Sequence, residues 1–228
     1  MTRSPRTSSG HTPPTHLDES PFDLERLRQW FPRWAQRFLP SGGGTHADHH
    51  GKGMFGFTIF LLSESIVFIS FFFTYIVLRL MSPTWLPPGV SGPTASPFVV
   101  INTIVLLSSS GVIQLAERAL SHQHVNRFRW LWLITALMGT YFLIGQGIEW
   151  SQLDFGLRTG LVGATFYILT GFHGLHVLSG VILQLIMLGR SFIPGNYDRS
   201  RFGVNATTLF WHFVDVIWII LFSLLYLW

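Results

Sequence analysis

The stretch MFGFTIFLLSESIVFISFFFTYIVLRL, residues 54–80, decides the fold. Up to Leu78 its only formal charge is Glu64, set among Phe, Ile, Leu and Val. At about 1.5 Å rise per residue, a helix over these positions exceeds the ~30 Å hydrocarbon core of a bilayer. Glu64 then falls roughly 15 Å from the start of that helix, close to the midplane. A carboxylate at such depth costs at least ~2.5 to 3.5 kcal/mol unless it is paired or protonated. Glu64 therefore has to face other helices and find a polar partner among them.

The rest of the chain has the composition of a bundle that can supply one. Hydrophobic residues make up 48% and charged residues 11%, against about 25% charged in an ordinary soluble domain. The isoelectric point near 10.0 raises nucleic acid as a partner. The basic residues, however, fall between apolar segments rather than in one patch, which excludes that reading in favour of a membrane protein. Cys is absent, so disulfides, thiolate metal sites and cysteine nucleophiles are all excluded.

Residues 1–50 form a polar tail rich in Pro, Ser, Thr and Gly, with no apolar run long enough to act as a signal peptide before Met54. Within it, LERLRQWFPRWAQRFL (24–39) interleaves Arg with Trp, Phe and Leu. It reads either as a basic amphipathic segment on the membrane surface, broken by Pro32, or as a flexible tail. Residues 51–228 form the membrane domain. Five apolar segments span it, at 54–80, about 97–116, about 128–148, about 161–188 and about 204–228, each near the ~20-residue spanning length. The gaps carry Pro, Gly or charge.

The expected fold class is thus all-α, an integral membrane bundle of five transmembrane helices. With five spans, 13 of the 15 Lys and Arg fall on the side of the amino terminus, and only Arg79 and Arg158 on the other. The positive-inside rule then places the amino terminus in the cytoplasm. Trp85, Trp130, Trp132, Trp150, Tyr226 and Trp228 sit near segment ends, as interfacial aromatic residues do.

Besides Glu64, the apolar segments hold His173, His176, His212 and Asp215, with Asn102, Gln146, Glu149 and Gln184 as further polar positions. His173 and His176 are i,i+3 on the fourth segment and are expected on one helix face; His212 and Asp215 repeat the spacing on the fifth. Three readings compete for these groups. A four-ligand metal or haem site can be drawn from them, but no known cofactor spacing is present. A proton path could run through Glu64, a histidine and Asp215. The third reading, interhelical hydrogen bonds that set the bundle's register, is favoured by the physics alone. His46, His49 and His50 read as solvated polar residues sooner than as an adventitious metal site. Gly171, Gly174, Gly180 and Ser179, and the run Ser108, Ser109, Ser110, Gly111, read as small residues at helix contacts. No catalytic residue is expected.

Four stretches carry a resemblance: FLLSESIVF (60–68), INTIVLLSSS (101–110), GFHGLHVLSG (171–180) and WHFVDVIWIILFSLLYLW (211–228). In this order and spacing they resemble subunit III of the haem-copper respiratory oxidases, in its five-helix form, over residues 53–228. The resemblance implies an accessory subunit with no haem, copper or other cofactor of its own, those residing in partner subunits. It would pack on oxidase subunit I beside subunit II, keep proton uptake fast and protect against turnover inactivation, in an enzyme that reduces oxygen to water. Bound lipids are compatible with it; nucleic acid is not a partner. It also implies that Glu64 is the family's mid-membrane glutamate and His173 the histidine that faces it, with His176, His212 and Asp215 at further family positions. A glutamate at position 64, and passages that look closest to cyanobacterial chains, favour reduced cytochrome c over quinol as electron donor. They also favour a bacterial plasma membrane or thylakoid membrane as the location. A quinol oxidase subunit III and a stand-alone proton or small-solute transporter are the rival readings.

Overall fold

The computed structural model describes residues 46–193, 197 and 201–228, the first seven of these by backbone only. The amphipathic segment 24–39 lies outside the described residues, as do the side chains of His46, His49 and His50. The architecture is all-helical: α1 (His46–Met81), α2 (Pro97–Ser121), α3 (Val125–Gln152), α4 (Gly160–Arg190) and α5 (Phe202–Phe222). After α5 the chain widens into π-type turns over Ser223–Leu227. Among the described residues, five helices are long and apolar enough to cross a membrane.

Local sequence sets the helix boundaries. The proline-rich segment after Met81 cannot continue α1, because each proline lacks a backbone donor. Pro97 then opens α2 at the position where that donor is not needed, and the Ser96 hydroxyl accepts from the Val99 N–H at 3.4 Å. Between α2 and α3 the turn closes through Gln123, whose φ of 63° lies in the left-handed region.

Helices α2, α3, α4 and α5 form a ring, each touching the next and α5 closing back on α2. Two tryptophans of α5, seven residues apart and so on one face, hold the ring together. Trp211 is fully buried and donates its indole N–H to the Ser109 hydroxyl of α2 at 2.8 Å. Its ring lies against Gly139 of α3 and Gly180 of α4, so close that a Cβ there would meet it at 2.5 and 2.7 Å. Trp218 donates to Thr103 of α2 at 3.1 Å, meets Phe142 of α3 edge-on at 4.8 Å and stacks on His173 of α4 at 4.9 Å. Lipid is as apolar as leucine, so close packing and interhelical hydrogen bonds do what the hydrophobic effect does in water. Gly180 thus plays the close-approach role expected of it.

Helix α1 stands apart from the ring. Only 22% of its most apolar window is buried, against 50% for the last span. It leans on α4 and α5 through Phe68, which lies 5.1 Å from the Phe172 ring and 6.1 Å from the Phe213 ring. At its far end the Arg79 guanidinium donates to the Tyr75 hydroxyl at 2.6 Å and to the Trp228 carbonyl at 2.5 Å, with the Trp228 ring 4.8 Å away.

Candidate intramembrane acid sites

Glu64 has its partner, and it is a histidine of α4, but not His173. Glu64 Oε2 lies 3.2 Å from Nε2 of His176, the two side chains 24% and 12% exposed. The other ring nitrogen, Nδ1, lies 2.8 Å from the Phe172 carbonyl oxygen. A carbonyl can only accept, so Nδ1 carries a hydrogen and donates it. The contact between Nε2 and the carboxyl group then needs one further proton between them. Either the carboxyl is protonated and donates, or the imidazole is protonated and donates. In both cases one hydrogen lies between the two groups.

The surroundings of the pair are aromatic. Phe172 and Phe68 meet the His176 ring edge-on at 4.7 and 5.0 Å, and Phe210 stacks on it at 6.2 Å. Few other dipoles compete with the hydrogen bond, which strengthens it relative to the same contact in water.

His173 is buried in the ring interior, stacked on Trp218 and edge-on to Phe142 at 5.9 Å. Neither of its nitrogens has a hydrogen-bond partner among the described residues. The expectation that His173 meets Glu64 is therefore corrected: the two histidines are neighbours on α4, but it is His176 that reaches the carboxyl group. Three residues along an α-helix turn the side chain through all but roughly 60° of a full circle. That offset aims His173 into the ring and His176 at α1.

His212 and Asp215 do meet at one place, on α2. The Ser110 hydroxyl donates to Asp215 Oδ2 and lies 2.9 Å from His212 Nδ1. Gln114 Nε2 lies 3.5 Å from His212 Nε2. Asp215 is buried, and its second oxygen has no partner among the described residues. The four groups drawn as one ligand set in the sequence thus lie in three settings: His176 on α1, His173 on Trp218, and His212 with Asp215 on α2. Among the described residues no three His, Asp or Glu side chains lie close enough to hold a metal ion.

The structure also gives a third acid its partners. Glu149, near the end of α3, accepts from Gln146 at 2.9 Å and from the Tyr226 hydroxyl at 2.6 Å. Ser110 and Gln114 were missed as site residues because serine next to glycine reads as a packing contact. Their signal was spacing: Ser110, Gln114 and Glu117 stand at i, i+4 and i+7, one face of α2.

A match to the family described as cytochrome c oxidase subunit III covers residues 26–228, reaching further toward the amino terminus than residue 53, where the resemblance of the motifs began. The chain is 43% identical over 193 residues to cytochrome c oxidase subunit 3 of Synechocystis sp., covering 83% of this chain and 82% of that one. It is 45% identical over 185 residues to that of Thermostichus vulcanus, covering 80% and 90%. To the rat protein of the same name it is 35% identical over 196 residues, covering 81% and 75%.

Proposed function

The chain belongs to the cytochrome c oxidase subunit III family, and we propose that it serves its oxidase as a proton-handling accessory subunit through the Glu64–His176 pair. As a member of that family it is a membrane-spanning subunit of an oxidase complex. The proposed part is its role there. The subunit packs on subunit I beside subunit II, accepts no electrons itself, and keeps proton delivery in step with oxygen reduction. The enzyme so supported takes electrons from reduced cytochrome c and translocates protons. The chain lies with its amino terminus in the cytoplasm, in a bacterial plasma membrane or a thylakoid membrane.

The observation that carries this reading is the 3.2 Å contact between Glu64 Oε2 and His176 Nε2, the other ring nitrogen of His176 being committed to the Phe172 carbonyl. A hydrogen-bonded acid and imidazole can take up and give back a proton with little movement of heavy atoms. A pair that only fixed helix register would serve as well with an amide in place of the acid. The outward face of α1 carries Leu62, Ile66, Ile69 and Phe73, all exposed in the isolated chain, an apolar surface suited to lipid and to a neighbouring membrane subunit alike.

Two measurements test the proposal. Purification through a tag on this chain in mild detergent should bring down larger subunits with haem bands in the reduced-minus-oxidised spectrum, and oxygen consumption with reduced cytochrome c. A colourless chain purified alone from several detergents sinks the reading. In the assembled enzyme Glu64→Gln should keep the initial rate and lose activity faster during turnover. Unchanged decay leaves the pair a register contact only.

A further inference from the structure

The Ser110–His212–Asp215 cluster lies on the α2–α5 seam, away from the Glu64–His176 contact between α1 and α4. We infer that it is a second, separate proton-binding site, loaded from the α2–α3 end of the bundle through Gln114.

The hydrogen-bond roles follow from counting hydrogens. The Ser110 hydroxyl has one hydrogen, and a carboxylate can only accept, so that hydrogen goes to Asp215 Oδ2. Ser110 Oγ must then accept from His212 Nδ1–H at 2.9 Å. His212 Nε2 is left with its lone pair outward, and the Gln114 amide N–H donates to it at 3.5 Å. The result is one oriented chain, from Gln114 through His212 and Ser110 to Asp215.

Such a chain passes a proton by exchange of partners. A proton from water binds His212 Nε2, with the Gln114 amide turning to offer its oxygen. The Nδ1 hydrogen moves to Ser110 Oγ, and the former Ser110 hydrogen moves to Asp215 Oδ2. Asp215 ends as the neutral acid, His212 as the opposite tautomer, and Ser110 remains a hydroxyl that now donates to Nδ1. One proton has entered and no charge is left on the imidazole.

Position gives the chain a direction. Asp215 lies thirteen residues into α5, roughly 20 Å along it and so near the bilayer centre. Gln114 is exposed, and Glu117 stands one turn nearer the end of α2. Polar groups along one face from helix end to midplane are costly unless water or protein meets them. The second Asp215 oxygen is buried without a protein partner among the described residues, as suits a group that must also hold a proton. A nucleophilic serine is a poorer reading. A base has to take the hydroxyl's proton while a carboxylate holds the other ring nitrogen, whereas here the hydroxyl gives its proton to the carboxylate. The other titratable groups facing α5 are Glu117 on α2 and His173 and His176 on α4, with Glu64 behind His176. Of these, only Glu117 stands on the face of α2 that carries the chain.

Infrared difference spectroscopy of the intact complex tests this, with the carboxylic acid C=O band of Asp215 assigned by its loss in Asp215→Asn or its displacement in Asp215→Glu. In the wild type the band should grow as pH falls and shift within seconds of mixing with D₂O. Ser110→Ala and Gln114→Leu should each slow that shift by about tenfold, the weight of one bridging hydrogen bond. The inference is overturned if no band moves in Asp215→Glu or Ser110→Ala, which leaves Asp215 permanently ionised. It is equally overturned if wild type and both variants exchange at one rate. The readout does not use oxygen consumption, so its failure and that of the Glu64–His176 reading are distinguishable.

Discussion

His173 and His176 are one turn apart on α4, yet their chemistry differs because their neighbours differ. His176 is needed wherever Glu64 is present: without it, a partly buried acid loses its hydrogen-bond partner in a setting where water is scarce. His176→Leu should therefore weaken the assembled subunit, and Glu64→Gln in the same chain should restore part of the loss. A double-mutant cycle on detergent-melting free energies should return a coupling of about 0.5 to 2 kcal/mol, the range for interhelical hydrogen bonds. A coupling near zero would mean that the 3.2 Å contact holds nothing. His173 is the contrasting case, since it stacks on Trp218 and donates to no group among the described residues. An apolar side chain of similar volume fits the same slot. His173→Leu should therefore change the melting free energy by less than about 1.5 kcal/mol, as volume-conserving exchanges do.

At the scale of the helices, the ring is held by tight spots rather than by broad apolar burial. Gly180 is one of them, and Gly180→Ala puts a methyl group 2.7 Å from the Trp211 indole. Trp211 cannot retreat, because Gly139 closes its other side and its N–H is fixed on Ser109. The substitution should cost about 1 to 3 kcal/mol in thermal unfolding of the detergent-solubilised protein, the usual penalty of overpacking. The loops at the opposite end are fastened differently. Asp154 Oδ2 accepts from the Ser91 hydroxyl at 2.6 Å and from the Ser91 N–H at 3.0 Å, joining the α1–α2 and α3–α4 loops. These two bonds, the hydroxyl's first, hold the Asp154 carboxyl below the usual carboxylate range. A group whose folded value is lowered stabilises the fold above its unfolded value of about 3.9 and stops doing so as pH falls through the folded value. Amide exchange around Ser91 should thus be slower in wild type than in Asp154→Ala at matched neutral pH. The difference should vanish in strong acid. A difference that persists there would mean that the loops are held by something else.

Helix number was legible because a span needs little more than length and hydropathy. Helix ends were less so: α2 runs on through Glu117 and Arg118 to Ser121, and α3 begins before Arg127 and Arg129. Charged residues end a hydropathy window without ending a helix. The need of Glu64 for a partner was legible from solvation cost alone. The choice between His173 and His176 was not, because it depends on how far α4 is rotated toward α1, and that rotation is fixed by contacts far away along the chain. Ser110 escaped for the same reason: only the approach of α5 turns a small polar residue into the bridge between His212 and Asp215.

For the whole molecule the open quantity is its direction across the membrane. The loop joining α2 to α3 and the segment joining α4 to α5 lie at one end of the bundle, those joining α1 to α2 and α3 to α4 at the other. Arg118, Arg127, Arg129, Arg190 and Arg201 belong to the first end, and Arg79 and Arg158 to the second. The proposed orientation, with the first end inside, rests on retention of positive charge on the cytoplasmic side during insertion. The absence of cysteine from the sequence makes the test clean, since one introduced thiol reports one position. Ala95 and His122 are exposed and stand at opposite ends of α2, one just before it and one just after, so a cysteine at either should leave the packing unchanged. In intact cells a membrane-impermeant maleimide should label Ala95→Cys and leave His122→Cys untouched until the membrane is opened. The reverse pattern would invert the bundle and place the Gln114 entry to Asp215 on the outer face. A proton bound at Asp215 would then be drawn from the side to which the oxidase releases protons, which contradicts a role in uptake. The orientation of the chain thus decides which proton pool the second site can serve.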